Sequence, residues 1–253
     1  MGVNLTPIVE KRVVTLEDLR GRSFAVDGFV VIHQFLALIR ARDGQPLMDT
    51  KGRTTSHLVG LAFRTTRLIA DYGMKLIFVF DGCPPQLKRT EVEKRREVRA
   101  KFEGEYREAI AAGDYKAAMS KAVMTGRITG EGIADAKRLL DLLGIPWVQA
   151  PSEGEAQAAY MAAKGDVWAS NSQDARARIL EQLTPDIPAI RDLYSHPPAS
   201  DNYTLDEKPV QEEALKRFLC DERSFSRERV DTVIARMRNA RSQRSLRDWY
   251  GGV

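Results

Sequence analysis

The chain has 253 residues, 43% hydrophobic and 29% charged, with 39 Lys+Arg against 35 Asp+Glu for a formal net charge of +4. That length sustains a real core, in one large domain or one domain with an appendage, while Cys83 and Cys220 supply no CxxC spacing, which excludes a disulfide or zinc scaffold and points to a reducing compartment. No apolar run approaches the roughly 20 residues of a membrane span, and the N-terminus MGVNLTPIVEKR lacks a signal-peptide layout, so the expectation is a soluble intracellular protein without a membrane partner.

Taken in chain order, four segments read as short buried strands: residues 24–26, 76–80, 147–149 and 167–170, each apolar and rich in Val, Ile, Phe or Trp. A helical pattern over 29–40 follows the first. Another over 55–70 precedes the second, with Leu58, Leu61, Ala62, Thr65, Leu68 and Ile69 near helical spacing. Residues 135–143 form a helix that stops at Gly144, with Pro146 just beyond. This alternation predicts an α/β fold with a mostly parallel central sheet flanked by helices.

Residues 86–130 are rich in Glu, Lys, Arg and Ala without a continuous apolar stripe, and read as exposed helices of an insertion broken at Gly104, Gly113, Gly126 and Gly130. After Asp174 come Pro185, Pro188, Pro197, Pro198 and Pro209, then a basic amphipathic helix over 226–240. The net charge is unevenly placed. Seven basic and three acidic residues between Lys88 and Lys101 give a local +4, and seven arginines against Glu228 and Asp231 between Arg227 and Arg247 give +5, so the rest of the chain sums to −5. Two basic elements sit on an acidic body.

Asp27 directly follows the first strand, Asp81 the second, and Asp174 lies just past the fourth; the third leads into Ala150-Pro151-Ser152-Glu153-Gly154-Glu155. In an open parallel sheet the C-terminal strand ends share one crevice, where ligands bind. Each carboxylate also has a structural reading. Ser152-x-x-Glu155 has the spacing of a capping box, and a strand-terminal Asp often starts a turn. What favours a site is that all four predicted strands deliver a carboxylate to one edge. Their repulsion calls for cations, and hard oxygen donors suit Mg²⁺ or Mn²⁺. Such a cluster near basic helices fits metal-assisted phosphodiester hydrolysis.

Several motifs are specific. Met1-Gly2-Val3, the stretch DGFVVIHQFLALIR over 27–40, Thr55-Ser56-His57-Leu58, Val79-Phe80-Asp81-Gly82 with Pro84-Pro85, and APSEGEAQAAYMAA over 150–163 resemble archaeal and eukaryotic flap endonucleases of the XPG/Rad2 family. The likeness runs from residue 1 to about 174 and resumes near Tyr194. It implies a PIN-like nuclease that cuts 5′ flaps on branched DNA during Okazaki-fragment maturation and base-excision repair, and acts as a monomer. It also implies metal ligands at Asp27, Asp81, Glu153, Glu155 and Asp174 holding two Mg²⁺ ions, with Mn²⁺ able to substitute. The basic insertion becomes a helical arch that threads the flap, Lys88 and Arg95 reach the scissile phosphate, Arg40 and Arg64 contact DNA phosphates, and Glu153 lies against the DNA. His33 stands where the family carries a tyrosine that stacks on a base. On this reading residues 1–101 are an N-terminal nuclease region, 102–130 the arch, 131–174 a truncated internal nuclease region and 175–240 a C-terminal remnant. The location would be cytoplasmic or nucleoid in an archaeon and nuclear in a eukaryote.

The likeness breaks after Asp174. Ala175-Arg176-Ala177-Arg178 follows, so Arg176 stands where another carboxylate is implied, and a later aspartate ligand and the helix-two-turn-helix that grips duplex DNA are missing. The expectation is a site that keeps at least one metal and some DNA binding but has impaired cleavage; the alternative is a degenerate protein that occupies flaps and clamps without cutting. At the tail, Gln243, Leu246, Trp249 and Tyr250 fit the Q-x-x-[LIM]-x-x-aromatic-aromatic pattern of a peptide (243–250) that binds the sliding clamp, PCNA.

Overall fold

The structure is a computed structural model that describes residues 13–42, 44–83, 97, 100–102, 104, 105, 108, 109, 111–113, 128–171 and 198–250, the side chains of 171 and 243–250 excepted. Lys88, Arg95, Asp174, Arg176 and most of the expected arch lie outside the described residues. The chain divides into two compact units that interleave in sequence, one from residues 1–30, 71–84 and 146–206, the other from 31–70, 85–145 and 207–253.

The first unit is built on a sheet of four described strands, β1 (Ser23–Asp27), β2 (Lys75–Phe80), β3 (Trp147–Gln149) and β4 (Ala169–Asn171), in the order β3-β2-β1-β4. Every pairing is parallel, with Asp27 opposite Val79 and Phe80 opposite Gln149. The four strand C-termini therefore lie along one edge, as the sequence predicted. β2 reads Lys-Leu-Ile-Phe-Val-Phe and buries everything after its lysine, the continuous apolar run expected of a strand covered on both faces. Ala25, Ile77, Val79 and Val148 of the sheet form one core cluster with Ala158 and Met161 of a helix at Gly154–Lys164. Burial of this kind contributes about 25 cal/mol per Å² of apolar surface removed from water.

Residues 198–206 return to this unit. The Gln157 amide donates to the Ser200 carbonyl at 2.8 Å and accepts from the Ser200 N–H at 2.8 Å, while Tyr203 and Leu205 pack against the core cluster. Lys164 reaches Asp201 at 2.8 Å, and the Tyr203 hydroxyl donates to Asp166. The segment that resumes after the sequence break is thus tied to the sheet unit by paired polar contacts.

Numbered in chain order, the α-helices with described bounds are α1 (Gly28–Leu38), α2 (Ser56–Val59), α3 (Thr66–Tyr72), α4 (Gly130–Leu143), α5 (Gly154–Lys164), α6 (Glu212–Lys216) and α7 (Arg227–Tyr250). A π-helical turn, Gly60–Thr65, joins α2 to α3, so the expected helix over 55–70 is continuous but locally wide. In the second unit α4 buries Leu139, Leu140 and Leu143 and ends at Gly144 in the left-handed region, φ 65°, where a Cβ would stand 1.8 Å from the Lys208 carbonyl oxygen. Only glycine fits there.

One buried ion pair organises this unit. The Arg223 guanidinium forks onto Asp135, Nε to Oδ2 at 2.8 Å and Nη2 to Oδ1 at 2.7 Å, with both residues under a tenth exposed (6% and 8%). Removing one partner strands the other charge in a low-dielectric site. Asp135→Ala is expected to cost about 3 kcal/mol or more, read from urea unfolding, and Asp135→Ala combined with Arg223→Met to recover most of it.

Candidate functional site

Asp27 ends β1 and directly precedes α1. Its Oδ1 accepts the Val30 N–H at 2.9 Å, which satisfies one of the donors left open at a helix start. The residue is only 5% exposed. Burial raises its pKa above the ordinary carboxylate value, the Val30 N–H pulls it down, and the negative charge of Asp81 raises it again. The two strand-terminal aspartates are therefore close enough to repel.

Asp81 follows β2 and is exposed. Its Oδ1 accepts the Gly154 N–H at 2.6 Å, so it caps α5 from a different element and places its charge where the helix dipole favours an anion. The contact needs a residue without a side chain: a Cβ on Gly154 would lie 2.8 Å from Asp81 Oδ1. Neighbouring backbone is pinned too. The Gln149 amide donates to the Asp81 carbonyl at 2.6 Å, and the Gly82 N–H donates to the Ser152 carbonyl at 2.6 Å.

This geometry revises the capping-box reading of Ser152-x-x-Glu155. The N-cap of α5 is Glu153, whose side chain makes no capping hydrogen bond, and Ser152 Oγ instead donates to the Cys83 carbonyl at 3.2 Å. Asp81 does the capping. Glu153 at the N-cap and Glu155 in the first turn are both partly exposed beside the same helix start. Gly154 and Gln149 are the residues that sequence reasoning missed. The available signal was a glycine at the first helical position, opposite a strand that ends in aspartate.

Among the described residues no three His, Cys, Asp or Glu side chains stand close enough to hold an ion together. Of the five expected carboxylates four are described, the Asp27–Asp81 pair and the two glutamates at the start of α5, while Asp174 lies outside the described residues. These side chains fit a divalent cation in two respects. The donors are all carboxylate oxygens, which suit Mg²⁺ or Mn²⁺, and the burial that chiefly lifts the Asp27 pKa, with the Asp81 charge adding to it, is what a bound cation would offset.

The basic candidates separate. Arg64 is exposed on the π-helical turn. Arg40 is half-buried and used locally, Nε to the Ala37 carbonyl at 3.1 Å and Nη1 to the Gly44 carbonyl at 2.9 Å, where it closes the turn after α1. His33 is half-buried on α1. In α7, Arg229 lies over the Phe63 ring at 4.3 Å, Arg236 donates to the Phe63 carbonyl at 3.3 Å, and Arg241 donates to the Leu143 carbonyl at 2.9 Å. Arg227 pairs with Asp221 at 3.2 Å and Arg238 with Glu212 at 3.8 Å. Arg236 and Arg241 thus tie the helix to its own unit, while Arg227, Arg229 and Arg238 remain exposed. The backbone of Gln243, Leu246, Trp249 and Tyr250 continues α7 to its end.

Comparison with known proteins adds independent findings. Residues 1–102 match the model of the XPG N-terminal domain, and residues 144–177 that of the XPG I-region. The chain is 36% identical to flap endonuclease 1 of Pyrococcus abyssi over 99% of itself and 98% of that protein. It is 52% identical to flap endonuclease 1 of Ignicoccus hospitalis over 69% of itself and 51% of that protein. A solved flap endonuclease-1 from Methanococcus jannaschii superimposes with a TM-score of 0.74 at 30% identity, covering 96% of this chain and all of that one. The Pyrococcus alignment runs over 339 positions although this chain has 253 residues, so the relative carries internal sequence with no counterpart here.

Gly154→Ala is the direct probe of the Asp81 contact. It is expected to cost about 1–3 kcal/mol by chemical denaturation, because the added methyl forces the aspartate or the helix start to move. The same substitution at Gly165, where a Cβ meets nothing within 4 Å, carries backbone strain at φ 88° but no such clash, and separates the two causes.

Proposed function

Because the chain belongs to the XPG/Rad2 family of flap endonucleases, we propose that it is a structure-specific nuclease hydrolysing DNA phosphodiesters at 5′ flaps, in DNA replication and repair. The observation that carries this reading is the Asp27–Asp81 pair at the C-terminal edge of the sheet, set beside the acidic start of α5. A fold alone supports many chemistries; a carboxylate edge held by two helix starts supports this one.

Asp27, Asp81, Glu153, Glu155 and Asp174 are the residues that would hold Mg²⁺, which when bound polarises the phosphodiester and lowers the pKa of attacking water. The chain's own groups do the rest. Helix N-termini fix the two aspartates, so their orientation is set before substrate arrives. Lys88 and Arg95 of the insertion are assigned to the scissile phosphate, Arg64 and Arg40 to the flanking backbone, and His33 to a base face, a smaller platform than tyrosine. The half-buried, locally engaged Arg40 contributes less to DNA affinity than the exposed Arg64 on this account.

The break after Asp174 bears on rate. Arg176 brings positive charge where a relative would supply a ligand, which weakens cation affinity. Cleavage is therefore impaired, and loss of the duplex-gripping segment relaxes substrate choice. A labelled 5′-flap substrate titrated with Mn²⁺ is expected to be cut at a rate at least tenfold below that of a relative with the intact segment. Asp81→Ala should abolish the cut. A rate equal to the relative's would show the missing segment to be dispensable, and no cut at any Mn²⁺ concentration would leave a protein that binds flaps without cleaving them.

The tail is assigned to the sliding clamp, with Leu246, Trp249 and Tyr250 as apolar anchors and Gln243 hydrogen-bonding beside them. A peptide of residues 239–253 is expected to bind the cognate clamp with a micromolar Kd by calorimetry, and Trp249→Ala with Tyr250→Ala to weaken it at least tenfold.

A further inference from the structure

His57 is the one described histidine whose two ring nitrogens are both buried and without a hydrogen-bond partner, in a residue 1% exposed. It lines a cavity of about 250 Å³ in the second unit, together with Leu36, Arg53, Thr129, Glu131 and Asp135. Buried polar atoms are nearly always paired, so an imidazole that closes no hydrogen bond of good geometry, with the Gly132 backbone near enough to act on its charge, calls for an explanation. The wall it faces is the root of the insertion: Thr129 caps α4 by accepting the Gly132 N–H at 3.1 Å, directly after Ile128.

The charges around the ring are already committed. From the loop before α2, Arg53 is held by Asp49 at 2.8 Å and donates to the Glu222 carbonyl. From α4, Asp135 is forked by Arg223, and Glu131 stands 3.6 Å from Arg53 and 3.5 Å from Arg223. From the π-helical segment Arg217–Glu222 after α6, the Glu222 carboxylate is taken by Arg138 at 2.7 Å and 2.8 Å. Leu36 of α1 brings no charge. A second N–H on the ring would find its nearest carboxylates engaged by arginines and would face those arginines as a like charge.

We propose that His57 is a proton-sensitive latch at the root of the insertion: as a neutral ring it seats the start of α2 and the 49–55 loop before it against the start of α4, and as a cation it must leave that seat or take Asp135 or Glu131 from arginine, which loosens the seam. The cavity supplies the room for the ring to swing and for water to follow. Burial, the largest cause, and Arg223 hold the ring's pKa down at about 4 against an ordinary 6.5, while the Gly132 backbone opposes them. A group whose folded pKa is depressed in this way gives histidine-linked stability that is complete above pH 6.5 and lost as the pH falls toward 4. The inference stands apart from the nuclease reading.

The test uses the full chain. The three histidine ring signals are followed by NMR from pH 8 to pH 4, with His33→Gln and His196→Gln variants assigning them. His57 should stay neutral through the range in which an ordinary imidazole titrates. Its protonation below that should coincide with faster amide exchange, corrected for intrinsic rate, at 129–135 and 49–57. Between pH 7.5 and 5 the unfolding constant should rise roughly thirtyfold more in the wild type than in His57→Gln. Titration of His57 near 6.5, an equal acid response in His57→Gln, or protonation without faster exchange at either segment overturns the latch. Should His57→Gln not fold, the wild-type titration and exchange decide alone.

Discussion

The hydrogen bond from the Gly154 N–H to Asp81, 2.6 Å long, is the contact on which the site depends. It joins the end of a central strand to the start of a helix and places a negative charge at the positive end of that helix dipole. Asp27 does the same for α1 through Val30. Two aspartates that repel one another are thereby each given a fixed partial positive charge. Without such partners a buried acid beside another acid would take up a proton and cease to be a ligand. The parallel sheet supplies the common edge, the helices supply the compensation, and what remains uncompensated is the charge a cation would meet.

The basic residues follow a different logic from the one their clustering suggested. Arg236 and Arg241 of α7 are half-buried and donate to backbone carbonyls of their own unit, while Arg227, Arg229 and Arg238 stay exposed beside a carboxylate or a ring. Local charge is therefore a poor guide to which cations are open to phosphate. Arg64, exposed on a widened turn, is a better candidate than the half-buried Arg236 and Arg241 of the denser cluster. The Arg223–Asp135 pair and the charges around His57 make the same point, since charged groups there specify how the insertion root meets its neighbours.

The strands, their common direction and the edge where Asp27 and Asp81 sit were legible in the sequence, because a continuous apolar run such as β2 followed at once by aspartate leaves few other arrangements. The helix stop at Gly144 was legible for the same local reason. The capping of α5 was not. Ser152-x-x-Glu155 satisfies a local rule, and the residue that overrides it, Asp81, is distant in sequence, so no window containing Ser152 could reveal it. The isolated state of the His57 nitrogens was equally invisible, since burial without a partner is a property of packing. The motifs that carry the family likeness located the carboxylates; the cross-element contact explains why a glycine lies between Glu153 and Glu155.

On the proposed function, Asp27, Asp81 and the acidic start of α5 would together hold a cation despite the missing sequence after Asp174. A crystal of the full chain grown with Mn²⁺ and measured for anomalous scattering tests it most directly. The account predicts at least one Mn²⁺ ion bound by oxygens of Asp27 or Asp81 together with Glu153 or Glu155, with the Gly154 N–H still on Asp81. Anomalous peaks absent from this edge at saturating Mn²⁺, or found only on carboxylates elsewhere, would contradict it.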